Sequence, residues 1–358
     1  MTAPTTGEAK QSATAPEPRQ FVQQLEATSS AAARAVGGFD DVWLRVAGTL
    51  VRLRFAGPAL ARTVIPAFAH LRTEARARER LTVHLWDSES TGVAMPAPPW
   101  DPAANRAYGE IAELRSGGLY GTVHRPTNAL SVLDIGARRA FYWVRSASQL
   151  AHLEGVPPLL DVLHMWLKQQ RTHLVHAAAI GRPGGCVLVA GRNGSGKSFT
   201  TLACMLAGLG VLGDDYCAVG PGVQPSVWSL YSTSKAHVDV LEQMPALATM
   251  VNGSNRPASG KALLLLHELR SHQIITCAPL KGLLIPHITG LRHSSVREAS
   301  AAEGFAALAP STIMQLPANS QTTLTRLGEI VRGVRCHHLD AGTDPGGLAG
   351  AVKSVLAT

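Results

Sequence analysis

An apolar run that breaks into Gly191-x-x-x-x-Gly196-Lys197-Ser198 can fold in few ways. Residues 187–201 read V-L-V-A-G-R-N-G-S-G-K-S-F-T-T, in which Val187, Leu188 and Val189 suit a buried strand. Gly191, Gly194 and Gly196 permit a tight turn whose backbone N–H groups face inward, the arrangement that cradles phosphate oxygens. Lys197 adds a point charge near the β- and γ-phosphates, and Ser198 offers a hydroxyl to Mg²⁺. Phe199 to Leu209 is apolar enough to be the helix whose positive N-terminus faces the anion. Strand, loop and helix occur in the required order, so residues Gly191, Arg192, Asn193, Gly194, Ser195, Gly196, Lys197, Ser198 and Phe199 are the expected nucleotide cradle.

A second apolar run, Gly208 to Gly213, ends in the paired carboxylates Asp214 and Asp215, 16 residues past Ser198 (214 minus 198). A helix of about three turns and a short strand use up that length, which returns the pair to the same sheet edge as the phosphates. There one carboxylate can orient Mg²⁺ while the other takes a proton from an attacking hydroxyl. Upstream, Leu174 to Ile180 reads as one strand leading through Gly181-Arg182-Pro183-Gly184-Gly185 into the loop strand, with His176 its strongly polar member.

These elements in order, H-A-A-A-I, G-R-N-G-S-G-K-S and G-L-G-V-L-G-D-D-Y, resemble the kinase domain of the HPr kinase/phosphorylase family. The resemblance is closer to HPr-kinase-related proteins of bacterial peptide-modification clusters, including those similar to lasso-peptide kinases. Looser matches are Ser229-Leu230-Tyr231 with Lys235, the run from Gly260 to Leu264, Ala309-Pro310-Ser311-Thr312, and Cys336 through Leu339 and Gly342 to Asp344, so the resemblance covers roughly residues 156–355. It implies an α/β fold: a P-loop kinase domain of the HPr kinase and phosphoenolpyruvate-carboxykinase-like type. It also implies a serine kinase that uses ATP and Mg²⁺ and acts on a peptide or small protein. Carried over by position, Lys197 contacts phosphates, Ser198 and Asp215 serve the metal, Asp214 accepts the proton, and His176 hydrogen-bonds near the aspartates. Glu268 is the nearest candidate for a further metal ligand. The glycine- and asparagine-containing signature that follows the active site in true HPr kinase/phosphorylases is missing, which argues against the reverse reaction and against HPr as acceptor. Two other readings stand beside the kinase: a non-catalytic nucleotide-binding regulatory subunit, and a carboxykinase-like metabolite enzyme.

At 358 residues and 46% hydrophobic, the chain has length for two domains. Residues 1–37, rich in Ala, Thr, Pro, Ser and Gln, read as a disordered tail with helical tendency from Gln20 to Ala35. An α+β module, a candidate for substrate or partner binding, is expected over 38–150, with alternating strands around Val51 to Phe55 and Leu81 to Leu85, a helix from Pro58 to Leu71, and further strands near Gly121, Leu130 and Ala140. The catalytic domain then occupies 151–358, opened by a helix of about four turns after Pro157.

The formal charge of +8 is spread over both halves, and its densest cluster, Arg72 to Arg80, alternates with Glu74 and Glu79 as a solvated helix face does. The excess invites a nucleic-acid reading, but its spread, this alternation and the lack of any recognisable nucleic-acid-binding motif argue against such a partner. Five cysteines without C-x-x-C spacing read as reduced thiols of a cytoplasmic protein. No apolar run approaches the roughly 18 residues of a membrane span, and the N-terminus lacks the basic-then-apolar pattern of a signal peptide. His237, His267, His272, His287, His293, His337 and His338 have no zinc-like spacing. Lys235 is a candidate phosphate or peptide contact, Arg292 and Arg297 read better as solvated loop residues than as arginine fingers, and a homo-oligomer is compatible with the chain.

Overall fold

The computed structural model describes residues 17–75, 79–101, 109–124, 127–152, 157–237, 240–241, 243–248, 260–318 and 320–357. Residues 1–16 of the expected tail and 76–78 of the basic cluster lie outside the described residues.

Alternating apolar residues in the first half build one six-stranded sheet from β1 (Phe39–Val46), β2 (Thr49–Ala56), β3 (Leu81–Asp87), β4 (Leu119–His124), β5 (Ala129–Asp134) and β6 (Arg139–Val144). Its order is β1-β2-β3-β6-β5-β4, parallel where β3 meets β2 and β6 and antiparallel elsewhere. Successive residues of β6 serve opposite faces: Phe141 joins one core with Trp86 and Trp100, while Tyr142 and Val144 join another with Leu53 and Phe55.

The first face is covered by a segment expected to be disordered. Pro18–Ala35 is a helix with Pro at its first turn, and its buried stripe of Phe21, Val22, Leu25, Ala32 and Ala33 falls at helical spacing. Phe21 meets Trp100 edge-on, ring centroids 5.1 Å apart. The Ala/Gln/Ser/Thr-rich composition hid that stripe. On the other face lies the helix Pro58–Phe68, continued by a single 3-10 turn to Leu71.

The second half is a nine-stranded sheet and a separate two-stranded antiparallel sheet. Its strands are β7 (His173–His176), β8 (Ala178–Arg182), β9 (Gly185–Val189), β10 (Gly210–Gly213), β11 (Tyr216–Val219), β12 (Ser226–Ser229), β13 (Thr233–His237), β14 (Lys261–Leu265), β15 (Cys277–Ile288), β16 (Ser295–Ala299) and β17 (Arg335–Ala341). The main path runs β10-β8-β9-β15-β12-β11-β7, β17 and then β16 extend it from β15, and β13 pairs with β14 alone. The twelve-residue β15 pairs antiparallel with β12 through its first residues and parallel with both β9 and β17 farther on. Val187 and Val189 of β9 face the helices Lys197–Leu206 and Pro345–Leu356, whereas Leu188 faces Ala301–Gln315 and Gln321–Arg332. Coverage of both sides explains why this strand reads as continuously apolar.

The single strand expected over Leu174–Ile180 is two. The chain leaves β7, which pairs with β11, and at Ala177 crosses to β8, which pairs with β9. Both pieces are buried, so no change of period marks the break. The opening helix is Leu160–Gln169, shorter than the four turns expected.

One core joins the halves: Leu44, Leu53 and Phe68 of the first half pack in the same cluster as Leu163, Tyr216, Leu230, Tyr231 and Leu316 of the second. Polar bonds stitch the same seam. Ser232 N donates to Ala67 O at 3.0 Å, and Thr122 Oγ1 donates to Asp161 Oδ2 at 2.6 Å.

Candidate functional site

β9 leads into the glycine-rich loop expected to cradle phosphate. Ala190 N makes a last bond to Leu284 O at 2.9 Å, after which the backbone turns away from the sheet. Gly194 and Gly196 take φ values of 79° and 100°, conformations an L side chain rarely adopts, and a Cβ on Gly191 would stand 2.7 Å from Ser195 Oγ. Gly196 is the N-cap of the helix Lys197–Leu206, so the free amides of the first turn point back toward the loop. Lys197 is buried and folds back, its Nζ donating to Gly191 O (2.8 Å) and Arg192 O (3.2 Å). Burial lowers its pKa, and the charges of Asp215 and Asp214 pull it back up. Arg192, Asn193 and Gly194 are exposed, Ser198 half-buried, and Phe199 packs on the helix-side core.

The acids arrive on β10, which pairs with β8, the antiparallel neighbour of the loop strand. They differ sharply. Asp214 is buried: its Oδ2 accepts from Ser234 Oγ at 2.7 Å, while Oδ1 has no hydrogen-bond partner. Burial, then the neighbouring Asp215, raise its pKa above the ordinary carboxylate range, opposed by the hydroxyls of Ser234, Ser198 and Thr201. Asp215 keeps 38% of its side chain exposed, with His176 Nε2 at 3.4 Å and Lys235 Nζ at 3.8 Å. Its burial acts upward, but the His176 hydrogen bond and the Lys235, His176 and Lys197 charges outweigh it and hold the pKa below the usual value. Thus Asp214, expected to meet the acceptor, is the enclosed member, and Asp215, expected at the metal, is the accessible one.

His176 sits opposite Tyr216 in the β7–β11 ladder, which sets its ring beside the acid that precedes the tyrosine. Tyr216 Oη donates to Gln315 Oε1 at 2.7 Å, so the Gln315 amide nitrogen donates to His176 Nδ1 at 3.3 Å. A neutral imidazole so held carries its proton on Nε2, toward Asp215. The His176 backbone N–H donates to Thr312 Oγ1 at 3.1 Å.

Lys235 therefore joins the site, as do the loop residues, His176 and both aspartates. Glu268 is exposed with His267 at 3.9 Å, and Arg297 pairs with Asp340 at 3.6 Å. Ser234, Thr201 and Gln315 went unnoticed in the sequence. Ser234 had a signal in its neighbour Lys235, whereas Gln315 is 139 residues from the histidine it holds and had none.

A phosphate chain fits this loop, whose amides, buried Lys197 and unpartnered Ser195 Oγ are all donors. Mg²⁺ fits the Ser198 and Asp214 pair, hard oxygen donors with one buried carboxylate oxygen unsatisfied. Among the described residues no group of three or more His, Cys, Asp or Glu could hold a metal. Mg²⁺ needs none, because it keeps several waters and takes phosphate oxygens. Among the described residues no helix is long and apolar enough to cross a membrane.

No family model matches the chain, and no curated protein matches it. Among solved structures it is similar to the HPr(Ser) kinase/phosphatase from Coxiella burnetii, at 10% identity and a TM-score of 0.28, over 51% of this chain and 95% of that one. At that score the likeness does not establish a fold; what stands is a mixed α/β chain of several sheets with a tight glycine turn between β9 and the helix Lys197–Leu206.

Proposed function

We propose that this chain is an ATP-dependent phosphotransferase that moves a γ-phosphoryl group to a serine hydroxyl of a peptide or small protein. The observation that carries the reading is the division of labour between adjacent acids. Asp214 is enclosed among Ser234, Ser198 and Thr201 beneath the loop, and Asp215 stands open beside His176 and Lys235. This exchanges the roles expected from the resemblance: Ser198 and Asp214 are the residues that would hold Mg²⁺, and Asp215 is the proton acceptor. Mg²⁺, when bound, supplies positive charge against the phosphates.

Asp215 is deprotonated at neutral pH and takes the acceptor's hydroxyl proton as its oxygen forms the new bond to phosphorus. The bond from that phosphorus to the bridging oxygen breaks, and the charge gathering on the leaving diphosphate meets Lys197 and the loop amides. His176 donates Nε2–H to Asp215 and fixes which oxygen faces the acceptor, while Lys235 keeps the carboxylate ionised. A nucleotide-binding subunit without transfer chemistry has no use for an open carboxylate oriented by a histidine whose tautomer is itself held.

The test is incubation of purified protein with Mg-ATP and the peptides encoded beside its gene, read by mass shift. A phosphoryl gain on serine that vanishes in Lys197→Ala and Asp215→Asn supports the proposal. Binding of ATP with no acceptor modified, and no phosphate released, overturns it.

A further inference from the structure

The two flanks of the phosphate loop are unlike. On the β8 and β10 side stand Asp214 and Asp215, and on the other side β15 runs parallel to the loop strand and ends at Ile288. Ile288 is 58% exposed and Leu291 is 68% exposed, two of the few large apolar side chains the described surface leaves open. Ile288 lies directly against the loop: a Cβ on Gly196 would come within 3.3 Å of its Cγ1.

Their exposure is built in. Thr289 N donates to Ala341 O (3.1 Å), Thr343 N to Leu291 O (2.8 Å), Asp344 N to Arg292 O (3.2 Å) and Gly342 N to Ser294 Oγ (2.9 Å). The Asp344 side chain in turn caps the helix Pro345–Leu356 through the Gly346 and Gly347 amides. The segment after β15 is therefore pinned to the segment after β17 along its length, and it holds Ile288 out to solvent beside a polar loop and leaves Leu291 exposed three residues farther on. Exposing them costs solvation free energy unless something covers them.

Resting on the phosphotransferase reading, we propose that Ile288 and Leu291 form the ledge on which the nucleoside end of ATP lies. The acids mark the end of the loop where the terminal phosphate reacts, so the phosphate chain crosses the loop away from β10. The sugar and base then emerge over the end of β15, where the first surface they meet is Ile288. A flat heterocycle covers both side chains by stacking and dispersion, contacts that need no directional partner.

The test compares Mg-ATP with Mg-tripolyphosphate, which shares the phosphates and lacks the nucleoside, by titration calorimetry on the full chain. The Ile288→Ser/Leu291→Ser variant alters only exposed side chains. We expect its Kd for ATP to rise about tenfold while its Kd for tripolyphosphate stays unchanged. An ATP Kd within twofold of wild type overturns the ledge, as does an equal loss for both ligands, which would make Ile288 a prop for the loop. Wild-type protein that binds neither ligand overturns the ledge and the nucleotide site together.

Discussion

Asparagine at each aspartate in turn separates the two carboxylates by what fails. On the proposed roles, Asp215→Asn removes the proton acceptor and keeps an oxygen for His176 Nε2–H, so kcat should fall roughly 10²- to 10⁴-fold, a barrier increase of about 2.7–5.5 kcal/mol. Its affinity for Mg-ATP should stay near wild type. The fold should barely notice. The Lys235–Asp215 pair spans 3.8 Å with side chains 23% and 38% exposed, and solvent-screened pairs of this kind contribute roughly 0–1 kcal/mol. Asp214→Asn should behave in the opposite way. Its carboxyl has a raised folded-state pKa, so wild-type stability declines as pH climbs from the ordinary carboxylate value through the raised one, and the asparagine lacks that decline. At neutral pH this variant should melt higher than wild type, bind Mg-ATP weakly, and need more Mg²⁺ for any residual turnover. Steady-state kinetics at varied Mg²⁺, calorimetric ATP binding and thermal melts distinguish the two. The reasoning is refuted if Asp214→Asn retains Mg-ATP affinity and loses turnover while Asp215→Asn keeps its kcat.

Other consequences are equally direct. Gln315→Leu frees His176 Nδ1 and Tyr216 Oη, so the imidazole can carry its proton on the wrong nitrogen; kcat should drop at least tenfold with the KM for ATP unchanged, seen in steady-state rates. Phe21→Ala empties a fully buried site beside Trp100 and should cost about 3–5 kcal/mol in denaturant unfolding, whereas a disordered tail would register nothing. Asp161, pushed up to about 6 by burial with the Glu110 charge assisting and the Thr122 hydroxyl opposing, favours the protonated folded state. Stability should therefore fall between about pH 4 and 6 by up to about 3 kcal/mol and then level off, and melts of Asp161→Asn across that range should be flat by comparison.

The strand–turn–helix around Gly191 to Ser198 was legible because its information is contiguous: glycines that must turn, a lysine and a serine, all within eight residues. The paired acids were legible as a pair but not as individuals. Adjacent residues at the end of a strand point to opposite sides, and only the packing of Ser234 and Thr201 decides which of Asp214 and Asp215 is enclosed. His176 was found for a partly mistaken reason, since it borders the site from β7 and β11 and not from the strand beside the loop. Gln315 and Thr312 reach it from a helix far along the chain, a relation no local pattern encodes. The helix Pro18–Ala35 was obscured by small and polar residues, though Phe21, Val22 and Leu25 were already in register.

The seam between the halves bears on how the molecule can be divided. Tyr216, the residue after Asp215, and Tyr231, whose ring tilts against Phe68 at 5.1 Å, both belong to the core that the first sheet helps to close. Cutting the chain near residue 150 would leave the backs of these tyrosines wet and Asp215 without its footing. The amino-terminal half thus acts as a keel for the strands that carry Asp215 and His176, and a grafted or exchanged version would have to reproduce its apolar underside before it contributed anything of its own.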